Sequence, residues 1–161
     1  MCIRDRSNSD LFNVTVFNRS SDKSAKWSNE YKGRVAKTIE DAVSDADVVI
    51  TCTGRDENMM EIVFSENGML AHLKSGSIFI DHTTTSCKLA KHLNKSLQSK
   101  GIDFIDAPVS GGEAGAVNGV LTVMAGGDKA ILESCDSIIK TYSKSITLMG
   151  CLLYTSPSPR D

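Results

Sequence analysis

Asp47-Val48-Val49-Ile50-Thr51-Cys52 is a run of consecutive apolar and β-branched residues with no alternation of polar and apolar character. A strand wetted on one side alternates; a strand apolar on both faces sits inside a sheet covered on both sides, the usual setting of parallel strands. Two later runs share this character: Ser77-Ile78-Phe79-Ile80-Asp81 and Asp103-Phe104-Ile105-Asp106. The stretches between them are long enough for crossover helices, which parallel strands require. A helical pattern covers 57–64, with a further turn over 69–73. The segment 86–99 places Leu89, Ala90, Leu93 and Leu97 on one helical face.

Working outward, 14–17 (Val-Thr-Val-Phe) reads as a strand, followed by a helix over 22–32 capped by Ser21 and ended at Gly33. A short extended piece near Val35 precedes a brief helix capped by Thr38, with Asp41 placed as in a capping box. Toward the C-terminus, 120–124 reads as a strand, Asp128 caps a helix reaching about Lys140, and 146–148 closes the series as a strand. Strands alternating with helices predict an α/β fold, a doubly wound Rossmann-type sheet, largely parallel, with helices on both faces.

At 161 residues the chain suffices for one domain. Its formal net charge of -2 argues against an electrostatic grip on nucleic acid. No apolar run approaches membrane-spanning length. The five cysteines are scattered without a CxxC pair, so neither a disulfide framework nor a metal site is expected, and a reducing, cytoplasmic setting is. Segments 1–6 and 151–161 carry no periodicity, the latter reading CLLYTSPSPRD, and are expected to be non-native tails flanking a partial dinucleotide-binding domain over 7–150.

A doubly wound sheet that holds a dinucleotide opens with a strand, a glycine turn and a helix N-terminus that grip the pyrophosphate. Nothing of this kind precedes Val14, and Gly111-Gly112-Glu113-Ala114-Gly115 lies too late, before another strand and not before a long helix. The expectation is a domain lacking its first strand and glycine loop. At the end of the first strand present stand Asn18-Arg19-Ser20, with Lys23 one turn on and no carboxylate before Asp22. A carboxylate there suits the ribose 2′-hydroxyl of NAD; an arginine suits the 2′-phosphate of NADP. Alternatively, Arg19 is a solvated surface residue.

Asp106-Ala107-Pro108-Val109-Ser110-Gly111-Gly112, with Gly115-Ala116 and the run Gly119 to Asp128 (GVLTVMAGGD), resembles the signature of the β-hydroxyacid dehydrogenases, nearest their 3-hydroxyisobutyrate dehydrogenase branch. VTVFNRS at 14–20 and Asp81-His82-Thr83-Thr84 match that pattern at the right separations. The resemblance implies hydride transfer between nicotinamide and a small 3-hydroxyacid or semialdehyde. It implies NADP as cofactor, NAD being possible, a carboxylate-bearing substrate, and a homo-oligomeric full-length protein.

The resemblance gives Ser110, Gly111 and Gly112 the substrate's carboxylate. The chemistry agrees, since a hydroxyl and two unobstructed N–H groups suit an anion. Read alone, the triplet is equally a turn. Thr53-Gly54 and Thr84, at strand carboxyl ends, resemble cofactor-contacting positions, although Arg55 stands where many relatives have Asn; turn chemistry is the plainer alternative for both. His82 reads as a polar strand-end residue, and His72 and His92 as surface positions. No catalytic residue is assigned. The resemblance places the general acid-base, a lysine, beyond Gly150, so these residues alone are expected to be inactive. A non-catalytic dinucleotide-binding or interaction module of the same family is the alternative function.

Overall fold

The computed structural model describes residues 12–150; both expected tails, 1–6 and 151–161, lie outside them. Eight strands and eight helices follow one another: β1 (Thr15–Val16), α1 (Ser21–Glu30), β2 (Arg34–Val35), α2 (Ile39–Val43), β3 (Val48–Thr51), α3 (Asp56–Phe64), α4 (Met69–His72), β4 (Ile78–Asp81), α5 (Cys87–Gln98), β5 (Asp103–Asp106), β6 (Val109–Ser110), α6 (Gly112–Val117), β7 (Leu121–Gly126), α7 (Lys129–Ser134), α8 (Asp136–Ile139) and β8 (Ser143–Gly150). β1 and β2 form a parallel pair of their own; the other six strands share one sheet.

β3, β4 and β5 are parallel and in one register, Thr51 beside Asp81 and Asp81 beside Asp106. The pleat sends alternate residues to opposite faces. Val49, Phe79 and Phe104 enter a core with Met59, Val63, Leu89, Leu93 and Leu97 from α3 and α5. Ile80 and Ile105 enter a second core with Leu132, Cys135 and Ile139 from the α7–α8 segment. The two cores explain why these runs carry apolar residues at consecutive positions.

The sheet is mixed where the sequence predicts a largely parallel one. β5 and β6 both pair antiparallel with β7, through Asp106↔Gly126, Val109↔Val123 and Ser110↔Thr122. One constant register joins these pairs, so 103–110 is a single extended stretch interrupted at Ala107-Pro108. Pro108 has no N–H to give the ladder, though its carbonyl accepts from Met124 N–H at 3.0 Å. β8 returns parallel to β7.

Several local expectations hold. Asp128 Oδ1 accepts from Ala130 and Ile131 N–H at 2.8 and 3.2 Å, as expected of a cap, and Ser86, not among the expected caps, accepts from Leu89 N–H through its Oγ at 3.2 Å. Thr38 Oγ1 accepts from Asp41 N–H, but the Asp41 carboxylate takes Lys37 N–H, one residue outside the ordinary box. Other expectations shift. α1 begins after Ser20, not Ser21, and ends at Glu30. The helix expected over 128–140 breaks at Cys135 into α7 and α8, and β8 runs eight residues where three were expected. β6 and α6 are additions, lying where Pro108 and the glycines that follow read as a turn.

Candidate functional site

Strand carboxyl ends are where open α/β sheets present ligand-contacting loops, and the expected residues leave three such ends here. Asn18-Arg19-Ser20 follow β1. Asn18 Oδ1 accepts from Ser20 N–H at 2.9 Å, which folds this turn on itself. The Arg19 side chain is 82% exposed, and it pairs at 3.8 Å with Glu61 on α3, whose side chain is itself 67% exposed. Such a pair contributes little to stability and leaves the guanidinium accessible. A cavity of about 550 Å³ is lined by Asn18, Arg19, Ser21, Ser24 and, across from them, Lys37.

The second and third loops, after β3 and β4, are tied together. Thr53 N–H donates to Thr83 Oγ1 at 2.8 Å, and Asp56 accepts from Ser86 N–H at 3.1 Å and from its hydroxyl at 2.5 Å. These two crosslinks bring Thr53-Gly54 beside Thr84, which is exposed. The space over Gly54 is open, the nearest atom to an added Cβ being Asn58 Oδ1 at 3.6 Å. Sequence reasoning missed Asp56, Thr83 and Ser86. Ser86 opens the helix expected over 86–99, but its partner thirty residues upstream was not legible.

Ser110, Gly111 and Gly112 close β6 and open α6, and all three are exposed. Gly111 has φ 130° and Gly112 φ 59°, two left-handed conformations in succession that side-chain-bearing residues adopt at a cost. A Cβ on Gly111 would meet Leu121 Cδ2 at 3.1 Å, whereas nothing lies within 4 Å of one on Gly112. The turn thus faces open space on its Gly112 side, as contact with a ligand requires.

Beneath these loops lies a buried polar layer. Asp81 is 0% exposed; its Oδ1 accepts from Thr51 Oγ1–H and Thr83 N–H, both at 2.9 Å, while its Oδ2 is buried without a partner. Burial raises the Asp81 carboxyl against the lowering pull of those hydrogen bonds. Burial, and then the neighbouring Asp81 carboxylate, push Asp106 up to about 7. His82, expected to be a polar strand-end residue, is instead only 2% exposed. Its Nδ1 lies 2.6 Å from the Ala107 carbonyl and its Nε2 2.8 Å from the Tyr142 hydroxyl. Its parity with Ile80 on β4 explains the burial, since it points into the second core. His92 is exposed and stacks on Phe64, as a surface position allows; His72 is half-buried, with Glu40 at 3.8 Å.

A doubly wound sheet with exposed loops at the carboxyl ends of its strands is the architecture of dinucleotide-binding domains. The chain belongs to the family of the NAD binding domain of 6-phosphogluconate dehydrogenase, matched over residues 4–150. An uncharacterized oxidoreductase of Shewanella frigidimarina is 42% identical over 137 residues, covering 85% of this chain and 47% of that protein. Among solved structures, Mycobacterium tuberculosis 3-hydroxyisobutyrate dehydrogenase with L-serine superimposes with a TM-score of 0.81 at 28% identity, covering 88% of this chain and 47% of the other. Psf3 in complex with NADP+ and 2-OPP gives 0.80 at 27% identity, covering 84% and 48%. The chain thus spans about half the length of the proteins it matches. No helix among the described residues is long and apolar enough to cross a membrane.

Proposed function

We propose that this chain is the nucleotide-binding part of an NADP-dependent oxidoreductase that moves hydride between nicotinamide and a small 3-hydroxyacid or its semialdehyde, of the 3-hydroxyisobutyrate type. The observation that carries this reading is the Ser110-Gly111-Gly112 turn. It lies toward the same edge of the sheet as the crosslinked Thr53-Gly54 and Thr84 loops, which supports a substrate site near a cofactor site. A solved relative that holds L-serine, a small hydroxyacid, supports the substrate class.

In this reading Asn18, Arg19 and Ser20 hold the adenosine end of the cofactor, with the Arg19 guanidinium on the 2′-phosphate. Thr53, Gly54 and Thr84 line the nicotinamide half. The open space over Gly54 and the solvent-accessible Arg19 fit such a molecule. When bound, the cofactor supplies the acceptor or donor of hydride. The Ser110 hydroxyl and the Gly111 and Gly112 N–H groups orient the substrate carboxylate, which sets the carbinol carbon against the nicotinamide. Family resemblance places the lysine that exchanges the hydroxyl proton after Gly150, in a full-length protein expected to be a homo-oligomer. The unpaired thiols of Cys52, Cys87 and Cys135 support a reducing, cytoplasmic setting.

The test is Ser110→Ala in the full-length protein. It removes one hydrogen bond to a charged group, worth about 1.5–3 kcal/mol, or roughly tenfold to a hundredfold in kcat/KM. The loss is expected for a carboxylate semialdehyde and not for a neutral aldehyde of similar size, with NADPH affinity unchanged. An equal loss on both substrates would sink the assignment.

A further inference from the structure

The ladder between β4 and the strand beside it stops one rung early, and a side chain completes it. In the parallel register, His82 N–H donates to the Thr51 carbonyl at 2.8 Å and Ala107 N–H to the Asp81 carbonyl at 2.7 Å. Continuing the pattern, Thr83 N–H would donate to the Ala107 carbonyl. It does not: Thr83 N–H turns to Asp81 Oδ1 at 2.9 Å. The Ala107 carbonyl is reached instead by His82 Nδ1 at 2.6 Å. A carbonyl only accepts, so Nδ1 carries the hydrogen. In the neutral ring, Nε2 then accepts the Tyr142 hydroxyl hydrogen at 2.8 Å. Tyr142, 3% exposed, anchors the imidazole from the residue just before β8.

The location gives this bond its consequence. Ala107 is the last residue before Pro108, the point where the stretch 103–110 leaves β4 and continues only along β7 to Ser110. A strand advances about 3.3 Å per residue, so Ser110 lies roughly 10 Å beyond the carbonyl that His82 holds. A small change of direction at Ala107 becomes a displacement of the Ser110 hydroxyl and of the glycine N–H groups. Pro108 offers no N–H of its own to pin the departure.

We propose that His82 is a positioning residue for substrate: its Nδ1–H replaces the missing rung to Ala107 and so aims the Ser110-Gly111-Gly112 turn at the substrate carboxylate. This rests on the reading that the turn holds that carboxylate. His82 touches neither substrate nor cofactor in this role.

The experiment compares His82→Phe, His82→Asn and Ser110→Ala in the full-length protein, assayed with NADP+ on 3-hydroxyisobutyrate and on its neutral methyl ester. His82→Phe keeps a ring and removes both hydrogen bonds. It should cut kcat/KM about tenfold for the acid, mainly through KM, leave the ester within about twofold, and leave NADP+ affinity unchanged. His82→Asn places an amide N–H where Nδ1–H was and should recover most of the loss. A merely structural role would lower both substrates alike and give no rescue, which overturns the proposal. Selective loss in Ser110→Ala with none in His82→Phe overturns the His82 role and spares the turn; no selectivity in Ser110→Ala overturns both. Independently of how the variants fold, long-range proton–nitrogen NMR of the unsubstituted protein at pH 8 should show the hydrogen on Nδ1 of His82. A bare Nδ1 overturns the proposal.

Discussion

Asp81 and Asp106 stand side by side at the ends of adjacent parallel strands, 0% and 8% exposed. Burial, and then the Asp81 carboxylate beside it, disfavour a charge on Asp106 and raise it to about 7 from 3.8. The folded state therefore binds a proton that the unfolded chain releases. A raised folded-state value means stability fully present below pH about 4 and lost as pH rises through about 7. Over that window the loss should be on the order of 2–4 kcal/mol. Asp106→Asn removes the titrating group while preserving shape. Urea midpoints at pH 5 and pH 8 should differ clearly in the unsubstituted protein and much less in the variant; an unchanged difference would remove Asp106 from the explanation.

The two glycines of the turn differ in what they tolerate. Gly111→Ala imposes a side chain at φ 130° and drives its Cβ to 3.1 Å from Leu121, whereas Gly112→Ala meets only the conformational cost at φ 59°. A left-handed alanine costs about 1–2 kcal/mol, and the Gly111 variant should lose more than that. Thermal melts of the two variants check the order, and a Gly112 variant less stable than the Gly111 variant would contradict it.

Arg19→Asp should invert cofactor preference in the full-length protein. A charge-assisted contact to a 2′-phosphate is worth about 1.5–3 kcal/mol, and a carboxylate at this position favours a ribose hydroxyl instead. The exposed pair with Glu61 is too weak to mask the change. Dissociation constants for NADPH and NADH in both proteins decide the matter, and a ratio that does not move excludes Arg19 from cofactor discrimination.

Asp56→Ala should loosen the loops after β3 and β4 together. It removes both acceptors of Ser86, the residue that caps α5, at a cost of about 1–2 kcal/mol. Amide exchange should quicken at Thr84, Thr85 and the first turn of α5 while the core strands stay protected. Uniform quickening would mean that Asp56 acts on global stability alone.

Much of the architecture is readable residue by residue. Val49, Phe79 and Phe104 face one core while Ile80 and Ile105 face the other, so β3, β4 and β5 announce themselves as unalternated apolar runs. The caps at Thr38 and Asp128 span two or three residues and are equally visible. β6 and α6 were hidden within 108–119, where Pro108 and four glycines read as turn. His82 was misplaced because a lone histidine beside an aspartate looks polar until the strand's parity is known.

By itself the sequence determined most of the order of strands and helices, the caps at Thr38 and Asp128, and the glycine pair at 111–112, because each depends on residues within a few positions of one another. Only the tertiary structure decided which strands pair and in which direction. It alone set Asp81 against Asp106, tied Asp56 to Ser86, and brought His82 under Ala107 and against Tyr142, sixty residues away. Those relations depend on register and pleat parity across crossovers, and a one-residue slip would send every one of these side chains to the opposite face.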